Sequence, residues 1–168
     1  MATLIDQDLA PYVTAASSER PVEATDRWVV LVDRGAPVSA IAPGTMLAAG
    51  VRSPAIIVAA ATLDLSVALT SAAFAEVADV SAVVLTDETG IAGVWPGPAL
   101  ARTQSQVQSR GFLGPVLPGP PTIPLISRSC GFTDQGTLCG TVCSFASKPY
   151  PMPSCRNDGG LGAHLFHW

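Results

Sequence analysis

The chain has 168 residues, enough for one ordinary domain or a small domain with an appendage. An apolar share of 48% supplies a core and excludes a fully disordered chain. The net charge of −4 and isoelectric point near 4.9 argue against a general nucleic-acid binder. The charge is unevenly spread. Residues 1–90 carry 11 acidic and 4 basic side chains, a balance of −7, whereas residues 91–168 carry 2 and 5, a balance of +3. Five basic side chains over the second part (Arg102, Arg110, Arg128, Lys148, Arg156) are too sparse for a nucleic-acid patch and read as solvated positions.

Met1–Asp8 is acidic where a secretory leader is basic and then apolar. The most apolar stretch, Ala55–Thr86, is interrupted by Asp64, Glu76 and Asp79 and lacks the roughly 18 uninterrupted apolar residues of a membrane span. The expectation is a soluble, cytoplasmic protein without a membrane partner, its cysteines mostly reduced. A first helix is expected over Asp6–Ser18, with Leu9, Tyr12 and Val13 facing inward. Trp28–Asp33 and Val38–Ala42 read as a strand and its return, and Pro43-Gly44 as the opening of a short helix ending near Ala48–Gly50. Pro54–Val58 is another strand. Thr62 is the expected N-cap of a helix with Asp64 in its first turn and Leu63, Val67, Phe74 and Val77 on one face. Ala82–Asp87 and Ile91–Trp95 form a second strand pair, and Pro96-Gly97 opens a helix ending near Arg102.

These elements contain an internal repeat. Val29-Val-Leu-Val-Asp33 matches Val83-Val-Leu-Thr-Asp87 at an offset of 54, and Pro43-Gly44-x-x-Leu47-Ala48 matches Pro96-Gly97-x-x-Leu100-Ala101 at 53. The one-residue slip is expected in the turns Arg34–Pro37 and Glu88–Ile91, where length changes are cheapest.

The order strand–helix–strand–strand–helix, given twice, resembles the tandem cystathionine-β-synthase (CBS) domain pair, or Bateman module. The resemblance is best over Ser53–Thr103, where Ile56–Val58, Ala61–Asp64, Val80–Asp87 and Gly93–Leu100 fall where the family keeps its elements. It implies an α/β fold of tandem β-α-β-β-α repeats, the first of them shortened. It also implies an adenine-nucleotide cleft, in which a Ser or Thr after the second strand and an Asp three residues on hold ribose and phosphates. Ala42–Met46 and Trp95–Ala99 both lack that pair, leaving Thr45 the only hydroxyl nearby. Each lost charge-assisted hydrogen bond is worth roughly 1.5–3 kcal/mol. What the resemblance leaves as cofactor-binding candidates is Asp33, Thr45, Asp87 and Trp95. Trp95 stands where the small hydroxyl belongs and is expected to plug the cleft with its own ring.

The repeat occupies 1–104, and a Pro/Gly-rich linker over 105–126 follows, with five Pro and three Gly between Gly111 and Pro124. The tail, 127–168, holds every Cys and His of the chain: Cys130, Cys139, Cys143, Cys155, His164 and His167. The cysteines are spaced C-x8-C-x3-C-x11-C, without the paired C-x2-C knuckles of zinc ribbons. These six are the candidate ligands of a structural zinc site in a small, loop-rich tail that cannot build a core alone. Two disulfides or uncommitted thiols are the alternatives. Cys139 and Cys143 are expected to share one helical face or turn. The last residues, Leu165–Trp168, read as a terminal strand that docks back on the tail or offers Phe166 and Trp168 to a partner.

No phosphate loop and no G-x-S-x-G elbow is present, and no His lies outside the tail, so no enzyme is expected. The expected function is a non-catalytic adaptor that binds a protein partner or larger assembly and associates with itself. The alternative is a sensor that binds an adenine nucleotide or related metabolite between the repeats.

Overall fold

A computed structural model describes residues 2–19, 21–75, 80–109, 124–156 and 161–168. A 3-10 turn at Leu4–Asp6 leads into β1 (Tyr12–Ala16), β2 (Trp28–Asp33) and β3 (Ala36–Ile41). Then follow β4 (Ala55–Ala60), α1 (Leu65–Thr70), α2 (Ala72–Ala75), β5 (Val80–Asp87), β6 (Gly90–Pro96) and α3 (Gly97–Ser109). The tail contributes β7 (Leu125–Ser129), the two-residue strands β8 (Thr133–Asp134) and β9 (Thr137–Leu138), and β10 (Val142–Phe145). The class is mixed α/β, mostly sheet.

Two larger sheets result, one of three strands in the order β1-β2-β3 and one of five in the order β10-β7-β4-β5-β6. They pack face to face because β2 and β5 alternate their side chains across each sheet. Trp28, Val30 and Ala40 meet Ile56, Ala82, Val84 and Val94 between the sheets. The opposite face of the five-stranded sheet (Ile57, Val83, Leu85, Trp95) is closed by Ala68, Phe74 and Leu100 of the three helices. The opposite face of the small sheet (Val29, Leu31, Ile41) is closed without a helix, by Val22 and Leu47, whose backbones bridge each other at 3.0 and 3.1 Å.

The repeated sequence corresponds to two strand trios with the same pairing. β1 runs parallel to β2 as β4 does to β5, and β3 and β6 return antiparallel. Both hairpins carry a register irregularity at the same place, Leu31/Val32 and Leu85/Thr86. Asp33 pairs with Ala36 and Asp87 with Gly90, so the two turns have equal length. The slip therefore falls after the return strands, not in the turns: β6 runs through Pro96 straight into α3, whereas Ala42 intervenes between β3 and Pro43.

Several expected helices differ. Over Asp6–Ser18 the chain forms the 3-10 turn and β1 instead, because Tyr12-Val13-Thr14 follows Pro11 and pairs with Trp28–Val30. Pro43–Gly50 is a pair of turns, with Gly44 and Gly50 at φ of +73° and +75°. The N-cap of α1 is Asp64 rather than Thr62, its carboxylate accepting from the amides of Ser66 and Val67 at 2.8 and 3.4 Å. The helix breaks at Ser71, and Phe74 is fully buried on α2. Val77 lies outside the described residues. The helix expected from Pro96-Gly97 is α3, which runs beyond Arg102 to Ser109. At Gly97 a Cβ would stand 2.8 and 2.9 Å from the Ser81 and Val80 carbonyl oxygens, so only glycine lets α3 start against β5.

Residues 110–123, most of the Pro/Gly-rich stretch, lie outside the described residues. Beyond them β7 pairs antiparallel with β4, Ile57 opposite Ile126, and buries Ile126 fully in the main core. No helix among the described residues is long and apolar enough to cross a membrane.

Candidate metal centre

Cys130 and Cys139 flank a small hairpin. Gln135 and Gly136, both at positive φ (+45° and +81°), make its turn between β8 and β9. The Cys139 amide donates to the Phe132 carbonyl at 2.8 Å, and the Cys130 amide to Thr141 at 2.9 Å. These bonds fold the Cys130–Cys139 segment back on itself and bring both thiols to the end of β7. Cys155 and His164 are joined in the same way, the Cys155 amide donating to the His164 carbonyl at 2.9 Å and the Phe166 amide to Pro153 at 2.8 Å. Two backbone ladders thus each deliver two donors.

The four donor atoms of Cys130, Cys139, Cys155 and His164 all lie within 4.8 Å of one another. The Cys139 and Cys155 sulfurs are 3.7 Å apart, and Cys130 Sγ is 3.6 Å from His164 Nε2. A tetrahedron with metal–sulfur bonds of ~2.3 Å and metal–nitrogen bonds of ~2.0–2.1 Å has edges of about 3.8 Å (S···S) and 3.5–3.6 Å (S···N). These two edges match that figure, and the sulfur–sulfur one is far longer than the ~2.05 Å of a disulfide. None of the four cysteines is disulfide-bonded.

The surroundings suit a metal as well. His164 Nδ1 is 2.8 Å from the Gly162 carbonyl, an arrangement that places the proton on Nδ1 and turns the Nε2 lone pair to the sulfurs. Phe132 stacks on the imidazole at 4.0 Å and fixes the ring plane. The His167 amide donates to Cys130 Sγ at 3.3 Å, and Cys139 Sγ lies 3.2 Å from Thr141 Oγ1. Without metal, the donors share protons unequally. Burial raises the Cys139 thiol, but hydrogen bonds from Thr141, Cys155 and His164 outweigh it and bring the pKa to about 7. Burial first, then Cys139 and Cys130, push Cys155 up to about 12. The Gly162 carbonyl raises His164, burial opposing, with the Cys130 and Cys139 sulfurs adding to the rise.

Of the six expected ligands, four meet. Cys143 stands on β10 opposite Arg128, outside the group, so it does not share a helical face or turn with Cys139. The His167 ring lies edge-on to Phe132 at 5.3 Å, and only its backbone reaches Cys130. In the sequence the four fall into two pairs of equal spacing, Cys130-x8-Cys139 and Cys155-x8-His164, although the two ladders differ in register. Arg52, on the segment before β4, is a contributor that sequence reading missed. Its guanidinium donates to the His167 carbonyl at 3.4 Å and packs on Gly131.

The C-terminal segment docks back. Phe166 is 2% exposed against Phe145 (5.1 Å), and Trp168 packs on the main core with Arg128 over its ring at 4.7 Å.

The cofactor-binding candidates of the repeat are more scattered. Trp95 is 1% exposed within the main core. Asp33 and Thr45 are exposed on the first trio and the turn after it. Asp87 lines an open cleft with Ala60, Thr62, Thr86, Glu88 and Thr89, at the C-terminal ends of the parallel strands β4 and β5. Its carboxylate already accepts from Thr89 and Gly90.

Comparison with family models, with curated proteins and with solved structures yields no match to this chain.

Proposed function

We propose that this chain is a non-catalytic adaptor, a CBS-like body whose C-terminal tail is stapled by one structural zinc ion held by Cys130, Cys139, Cys155 and His164. The observation that carries the reading is the gathering of these four donors within 4.8 Å of one another, with two of their edges at 3.6–3.7 Å, at the end of β7. A closed set of four protein ligands leaves no open coordination position for substrate, as in structural rather than catalytic sites. Zinc fits three thiolates and an imidazole better than harder cations, which prefer oxygen. The CBS-like reading of the body draws support from the repeated strand trios and their shared register irregularity. Sparse charge, at 13%, agrees with a body that associates with itself or a larger assembly.

The test is native mass spectrometry of the full chain purified under reducing conditions without chelator. One zinc per chain in a dimer or larger assembly supports the adaptor. A metal-free monomer overturns it.

A second reading, a metabolite sensor, rests on the cleft at the ends of β4 and β5, since ligands of parallel sheets gather there. Thr62, Thr86 and Thr89 offer hydroxyls to a ribose, but Asp87 and Glu88 repel phosphates. A thermal shift of several degrees with adenine nucleotides or S-adenosylmethionine favours the sensor, and flat curves favour the adaptor.

A further inference from the structure

The four donors are not equally sheltered. Cys130 is fully buried and its sulfur accepts the His167 amide, whereas Cys139 and Cys155 are each partly exposed. The sulfurs of these two lie 3.7 Å apart, and Cys139 is followed by Gly140 at φ +63°. Resting on the zinc reading above, we propose that the Cys139–Cys155 edge is an oxidation site: a peroxide joins the two sulfurs and expels the metal.

The step balances. The Cys139 thiolate attacks one oxygen of hydrogen peroxide, the O–O bond breaks, and a sulfenic acid forms with release of hydroxide. The Cys155 thiolate then attacks the Cys139 sulfur, the S–S bond forms, and a second hydroxide leaves. Two electrons pass from the two sulfurs to the peroxide. Closing the bond shortens the 3.7 Å gap to about 2.05 Å and removes two thiolate ligands. Cys130 and His164 remain, two donors where a structural zinc needs four. Oxidation thereby cuts the metal tie between the Cys130–Cys139 hairpin and the Cys155–His164 ladder. Arsenals of other thiols are not needed, because Cys143 stands outside the group.

The experiment treats the full, zinc-loaded chain with hydrogen peroxide in the presence of a chromophoric zinc chelator. Disulfides are then mapped by non-reducing peptide mass spectrometry, on the parent and on Cys143→Ser. The expected result is release of one zinc per chain, a Cys139–Cys155 bridge in both proteins, and reversal by dithiothreitol with added zinc. Zinc retained under peroxide overturns the proposal, as does a bridge through Cys130 or one lost in Cys143→Ser. A reduced chain carrying no zinc before peroxide is added fails the metal reading itself, and the two failures are thus told apart.

Discussion

The Cys155 amide donates to the His164 carbonyl at 2.9 Å, so two donors nine positions apart are held side by side by backbone alone. The other pair is brought together less directly, the Cys139 amide donating to Phe132 and the Cys130 amide to Thr141. A metal bound by these four would have only to join two halves, which lowers the ordering entropy that a ligand set drawn from loose loops would carry.

The ligand set makes a sharp distinction among the six Cys and His residues. Cys130→Ser, Cys139→Ser, Cys155→Ser and His164→Ala should each abolish stoichiometric zinc, while Cys143→Ser and His167→Ala should retain it. Elemental analysis of the purified proteins checks this. Removing zinc from the parent with a strong chelator should lower the melting temperature by about 10 °C, from the several kcal/mol such sites supply.

Asp64 sets a pH-dependent part of stability. Its carboxyl is held below the usual range by the Ser66 hydroxyl first, burial opposing, and by the amides of Ser66 and Val67. A depressed folded pKa gives stability that is present above the unfolded value of about 3.9 and lost as pH falls through the folded one. Asp64→Ala should therefore be destabilised by about 1 kcal/mol at pH 7, with a smaller difference from the parent at pH 2. Urea titrations at the two pH values decide it.

Gly97 is a packing requirement. Gly97→Ala drives a methyl into the Ser81 and Val80 carbonyls at 2.8 and 2.9 Å, so α3 must shift off β5. A loss of about 1–3 kcal/mol is expected by chemical denaturation.

Phe166 distinguishes docking from display. At 2% exposure and 5.1 Å from Phe145, it should lose about 3 kcal/mol or more of stability as Phe166→Ala. An unchanged unfolding midpoint would return the C-terminal aromatics to the role of a partner anchor.

The second repeat was legible because its signals are local. Short β-branched runs, the Asp87 turn and Pro96-Gly97 mark β5, β6 and α3 without knowledge of the rest. In the first repeat the strand Trp28–Asp33 and its return were legible too, but the segments before and after them were not. Leu9, Tyr12 and Val13 fit a helical period, and only pairing of β1 with the distant Trp28–Val32 decides for a strand. Leu47 likewise answers to Val22, not to its neighbours. In the tail, residue types revealed the chemistry but not the choice of four among six. That choice depends on two backbone ladders whose pairings the spacing of the cysteines does not dictate.

The pairing of β7 with β4 has a consequence for a shortened chain. Ala55-Ile-Ile-Val-Ala-Ala60 carries no charge and no proline, the composition of strands that recruit copies of themselves when left bare. Leu125–Ser127 covers that rim. A product ending before Leu125 would present it naked, and light scattering should find it growing into aggregates while the full chain stays clear. The tail is thus also the body's guard against polymerising along its own sheet.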